Sequence, residues 1–206
     1  MHVQSVLVGE FGVNCYVVWG DAQRALVIDP GADAEAVADV IDSKRLTVAA
    51  YLITHGHMDH VSALAPLATL YPAPIAMHPK DAAWAFSKVN AMLPYYAAPV
   101  RPAAIERHLA GGETYEDGGL TYQVIATPGH TAGGVCFYFP AAKAVFTGDT
   151  LFAGSVGRTD FPGGDESLLN ASLRVLTRLP DATTVFPGHG PQTTIGQEKA
   201  TNPFIR

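Results

Sequence analysis

The chain has 206 residues, 48% apolar and 16% charged, with a formal net charge of −6. That composition excludes a disordered chain and suits one large domain spanning residues 1–206. The acidic balance, with Lys44-Arg45 as the only basic pair, speaks against nucleic-acid and membrane-surface partners.

The N-terminus lacks a basic segment followed by an apolar core, and no apolar run approaches the roughly 18 residues that span a bilayer, so a cytoplasmic protein is expected. Val3–Val8 and Cys15–Trp19 read as strands around a glycine-containing turn. Residues 25–28 form a short buried strand stopped by Asp29-Pro30-Gly31. Val37, Val40 and Ile41 recur at helical spacing, with Asp33 as an expected N-cap. Residues 48–53 are a strand, followed by a dense polar motif and a helix over 61–70. Residues 84–105, with Pro94, Pro99 and Pro102, read as an irregular segment or mobile cover beside ordinary connection, and Tyr95 and Tyr96 as packing residues. Strands follow at 120–126, 135–139 and 144–146. Residues 166–179 are a helix whose expected apolar face holds Leu168, Leu169, Leu173, Val175 and Leu176. A last strand, 184–186, precedes Pro187-Gly188-His189-Gly190. Cys15 and Cys136 fall in no C-x-x-C pattern and read as two reduced, half-buried thiols. Strands alternating with crossover helices predict an α/β layered fold.

The sharpest feature is Thr54-His55-Gly56-His57-Met58-Asp59-His60, three histidines and a carboxylate within six residues. Imidazole is the commonest zinc ligand, and a carboxylate adds charge. Alternate residues of a turning loop point apart, so His55 and His57 suit one ion and Asp59 and His60 a neighbouring one. His130, Asp149 and His189 each follow a strand and sit beside glycines that permit close backbone approach. His2, His78 and His108 lack such company and read as structural, as do Asp160 and Asp165 at a loop and a helix cap.

This ordered set resembles the metallo-β-lactamase superfamily from Asp29-Pro30-Gly31 to His189. The resemblance implies a four-layer αββα sandwich. It implies two divalent metal ions, zinc first with iron or manganese as alternatives: His55, His57 and His130 on the first, Asp59, His60 and His189 on the second, Asp149 bridging, and Asp29 in support. Asp149 with Asp59-His60 looks unlike the zinc β-lactamases, which place a Cys in the second site. Gly157-Arg158-Thr159-Asp160-Phe161 and Pro187-Gly188-His189-Gly190-Pro191 look like short glyoxalase II-like hydrolases, although the C-terminal helical region typical of glyoxalase II is missing. The resemblance therefore implies hydrolysis of a small thioester such as S-D-lactoylglutathione by a metal-bridging hydroxide, whose water has its pKa lowered to about 7. Asp59 orients that nucleophile, and Arg158 matches a basic position that holds the glutathione part. The alternatives are a persulfide dioxygenase with one iron on His55, His130 and Asp149, and a lactonase or other ester hydrolase. A non-catalytic module or a nuclease of this fold fits less well.

Overall fold

The computed structural model describes residues 1–205 as two six-stranded sheets with helices outside them. The first sheet runs in chain order: β1 (His2–Val8), β2 (Val13–Trp19), β3 (Arg24–Ile28), β4 (Thr47–Leu52), β5 (Ile75–Met77) and β6 (Arg107–His108). Its pairs are antiparallel from β1 to β3 and parallel from β3 to β6. Helices α1 (Ala34–Ser43), α2 (Met58–Val61), α3 (Leu64–Leu70) and α4 (Pro79–Ala82) fill its connections. The second sheet is built from β7 (Thr114–Asp117), β8 (Leu120–Ala126), β9 (Val135–Phe139) and β10 (Ala144–Gly148). After the small hairpin β11 (Leu151–Phe152) and β12 (Ser155–Val156) comes α5 (Glu166–Leu176). Strands β13 (Thr184–Pro187) and β14 (Thr193–Thr194) complete that sheet, and α6 (Ile195–Thr201) follows.

Alternation along each strand builds the layers. On β2 and β3, Cys15, Val17, Ala25 and Val27 pack outward against Val37 and Ile41 of α1 and Leu64 and Leu67 of α3. The intervening Tyr16, Val18, Leu26 and Ile28 point inward, against Tyr122, Phe137, Phe139 and Phe146 of the second sheet. Outside that sheet, Cys136, Tyr138, Val145 and Val185 meet Leu169, Leu173 and Leu176 of α5 and Ile195 of α6. The result is the expected αββα sandwich. Strands covered on both faces need apolar residues at consecutive positions, hence their unbroken runs. The central layer is rich in aromatics, with Phe146 and Phe186 rings stacked 4.8 Å apart. Cutting Phe137 to Ala there costs about 3–5 kcal/mol.

Several local expectations change, while the expected cap at Asp165 holds. Asp33 stands at the N-cap of α1 as expected, but its side chain makes no capping bond; it lies in the left-handed region (φ 47°) and its carboxylate accepts from Gly9 N–H at 2.8 Å. Leu168 and Val175 are exposed, because a buried stripe through Leu169, Leu173 and Leu176 leaves them rotated away. Asp165 does cap α5, accepting from Leu168 N–H at 2.9 Å. Both thiols are buried completely and unpaired, with Cys136 pushed up to about 12 by burial. Strand β14 also follows the strand expected to be last. Among the described residues no helix is long and apolar enough to cross a membrane.

Candidate metal centre

Strands β4, β8, β10 and β13 deliver their following loops to one rim of the sandwich. His55 and His57 lie on the loop after β4, His57 in extended backbone, while Asp59 and His60 lie on the single helical turn α2. This change from extended to helical backbone, rather than a uniform loop, aims the four side chains. His130 follows β8, Asp149 follows β10, and His189 follows β13. All seven expected residues come together.

Their facing atoms form two groups. Ligand atoms of His55, His57 and His130 lie within 4.8 Å of one another, as do those of Asp59, His60 and His189. Asp149 stands between them. Its Oδ2 is 3.6 Å from His130 Nε2 and 3.5 Å from His189 Nε2, and its Oδ1 is 3.4 Å from His60 Nε2. Among the described residues, His55 Nε2, His60 Nε2 and Asp149 Oδ1 are buried without a hydrogen-bond partner. Three such orphans in one place are costly for a folded protein, and convergent lone pairs of this kind fit cations.

In four of the five imidazoles the opposite nitrogen is held, while His57 Nδ1 faces His130 Nε2 at 2.9 Å. His55 Nδ1 lies 3.0 Å from Thr54 Oγ1, His60 Nδ1 3.1 Å from Asp29 Oδ2, His130 Nδ1 2.8 Å from the Arg158 carbonyl, and His189 Nδ1 3.1 Å from the Phe11 carbonyl. Such contacts fix ring orientation and leave the other nitrogen for a metal. Asp29 also approaches His55 and His60 closely enough to count as a third ligand group. Its oxygens, however, accept from Thr54 N–H at 2.8 Å and Thr54 Oγ1–H at 2.6 Å, so it works as a brace.

Four further bracing residues carry no local sequence signal. Asp81, fully buried at α4, accepts from Gly56 N–H, Thr131 Oγ1–H and Gly133 N–H at 2.9, 2.7 and 2.8 Å. It fastens the His55–His57 loop to the His130 loop. Burial pushes its carboxyl up, opposed by those donors. Asn90, within the segment expected to be irregular, accepts from Met58 N–H at 3.1 Å and donates to the Gly56 carbonyl at 2.8 Å. The segment therefore grips the site from a short 3-10 turn, Lys88–Asn90. Across the sandwich, Asn14 and Tyr16 of β2 donate to the Pro187 carbonyl at 3.1 and 2.7 Å and steady the His189 loop. Space also selects glycine: a Cβ on Gly188 would stand 2.3 Å from Asp149 Oδ1 and 2.8 Å from His60 Cε1.

Electrostatics divide the histidines. Burial, then the neighbouring imidazoles, pushes His55 well below the usual range and His57 down to about 3, so both present lone pairs at neutral pH. Burial works against protonation of His60 too, but the carboxylates of Asp149, Asp59 and Asp29 outweigh it and raise His60 to about 10. Burial would raise Asp59, yet His60 and His189 hold it down at about 2.

Arg158 is exposed beside the cluster. Its guanidinium donates twice to Asp160, each at 2.6 Å, and lies 3.9 Å from the centre of the Phe161 ring. His2 stacks on Trp19, His78 caps α4 and His108 lies on β6, all apart from the cluster.

A family model described as the metallo-beta-lactamase superfamily matches residues 8–189. The Haemophilus influenzae protein described as hydroxyacylglutathione hydrolase GloC is 36% identical over 100% of this chain and 98% of its own length. The crystal structure of TTHA1623 in a di-iron-bound form is 41% identical, with a TM-score of 0.90 over 98% of this chain and 100% of that one. That of BLEG-1 B3 metallo-beta-lactamase is 35% identical, with a TM-score of 0.93 over 99% of both chains. Overall likeness therefore does not separate this chain from β-lactamases, whatever Asp59-His60 suggests.

Proposed function

From the premise that this chain belongs to the metallo-beta-lactamase superfamily, we propose that it is a binuclear metal-dependent hydrolase of small-molecule thioesters. The observation that carries this reading is Asp149 set between two complete ligand groups. His55, His57 and His130 would hold one metal, Asp59, His60 and His189 the other, and Asp149 both. A relative described as a hydroxyacylglutathione hydrolase supports the thioester class, and a similar structure in a di-iron-bound form supports two ions, zinc, iron and manganese all suiting His and carboxylate donors.

Bound divalent metals supply Lewis-acid polarisation of the carbonyl and acidify water toward neutrality. The chain's residues do the rest. Asp59, a carboxylate at neutral pH, accepts a hydrogen bond from the attacking water and aims it. Water adds to the thioester carbon, the C–S bond breaks, and acid and thiol leave. The braced imidazoles keep the donor atoms fixed through the change, so little reorganisation is needed. Arg158 would meet a substrate carboxylate only by exchanging Asp160.

The test is metal quantification with parallel assays of S-D-lactoylglutathione hydrolysis and of oxygen uptake with glutathione persulfide. Nearly two metals per chain and thioester turnover, reduced at least about 100-fold in a metal-loaded Asp59→Asn variant, are expected. A single iron with oxygen uptake would overturn the reading in favour of a dioxygenase.

A further inference from the structure

Beside His57 the surface opens into a cavity of about 620 Å³. Its lining includes Met58, Trp84, Val89, Met92 and Phe161, with Lys80 as the one ordinarily charged side chain. Trp84 and Phe161 flank His57, with ring centres 5.5 and 5.8 Å from the imidazole. The cavity wall is therefore continuous with the first ligand group.

Apart from the single ammonium of Lys80, the polar side chains in and beside this wall are already engaged. The Asn90 amide is used by Met58 N–H and by the Gly56 and Ala85 carbonyls. The neighbouring Arg158 is neutralised by Asp160 and lies against Phe161. A glutathione moiety would bring carboxylates, an ammonium and peptide groups into this space and leave most of them unmatched. An apolar chain would lose only water.

We propose that this cavity receives an aliphatic or aromatic acyl arm, so that the preferred substrates are hydrophobic acyl thioesters of small thiols rather than hydroxyacyl-glutathione. This rests on the thioester-hydrolase reading above. Trp84 and Phe161 would place the acyl chain, with the carbonyl toward His57 and the two ligand groups. Water adds to the acyl carbon, and the products are the fatty or aryl acid and the free thiol.

The experiment uses the metal-loaded protein and N-acetylcysteamine thioesters from acetyl to octanoyl, alongside S-D-lactoylglutathione. Non-hydrolysable S-alkyl analogues of the same lengths are titrated by Trp84 fluorescence, with Trp84→Phe identifying the signal. Affinity and kcat/KM should each rise about fourfold per methylene until the cavity is filled. Val89→Glu, at a position that is 80% exposed and so carries little folding load, should flatten both series; Trp84→Ala, which removes the fluorophore, should flatten the kcat/KM series. Flat series with S-D-lactoylglutathione preferred would overturn the acyl cavity and leave thioester hydrolysis standing. Chain-length-dependent binding without turnover of any thioester would instead overturn the reaction and leave the apolar cavity standing.

Discussion

The carbonyl oxygen of Arg158 lies 2.8 Å from His130 Nδ1, so this arginine supports the first ligand group through its backbone. Its guanidinium is engaged elsewhere, with Asp160. Arg158→Ala should therefore keep the full metal complement, measured by elemental analysis, and shift KM for a glutathione thioester less than about threefold, since an exposed, already paired guanidinium contributes little. Loss of metal on this substitution would show that the side chain, rather than the carbonyl, carries the role.

Gly188→Ala should abolish loading of at least one ion. The added methyl would press on Asp149 Oδ1 and His60 Cε1 at once, and both belong to proposed ligands. Metal content of the purified variant checks this, and a full complement would mean that the loop yields freely.

Asp81→Asn should destabilise the fold by about 2–3 kcal/mol, because one amide oxygen cannot serve three donors and the new NH2 faces one of them. Thermal unfolding should drop by about 5–10 °C. An unchanged midpoint would mean that the loops are held together by other contacts.

Asp117 accepts from both Arg107 Nη atoms and, at 2.8 Å, from Tyr122. Arg107 is on β6 and Asp117 on β7, so the pair staples the edges of the two sheets. Burial would raise the Asp117 carboxyl, but Arg107 and Tyr122 win and hold it below its ordinary value. A depressed carboxylate contributes stability that is complete above about pH 4 and fades as pH falls through the lower folded value. Asp117→Asn should cost about 1 kcal/mol in urea unfolding at pH 7, discounted for the 26% exposure of Arg107. The difference should vanish toward pH 2; a gap that persisted there would assign it to shape rather than charge.

The candidate ligands were legible in the sequence because their signal is local: a tight run of His and Asp, then single residues beside glycines after strands. The layers were legible for the same reason, since buried strands have unbroken apolar runs. Asp81 and Asn90 were not, because each acts on backbone groups 25 and 34 residues away, and nothing in their own neighbourhoods marks them. Strands β5, β6, β7 and β14 are two to four residues long, too short to show a period. Asp33 misled for a related reason. An aspartate before a helix has two uses for its carboxylate, and the Gly9 N–H that claims it comes from another turn.

Residues 55–60 come from the first half of the chain, and His130, Asp149 and His189 from the second. Neither ligand group closes within one half: the first lacks His130 until β8 is in place, and the second lacks His189 until β13 is. If these groups hold the proposed ions, the early motif alone would be an open clasp. Firm capture would then require both sheets docked, so metal loading would report the finished fold, and a chain cut between its halves would forfeit both ions together.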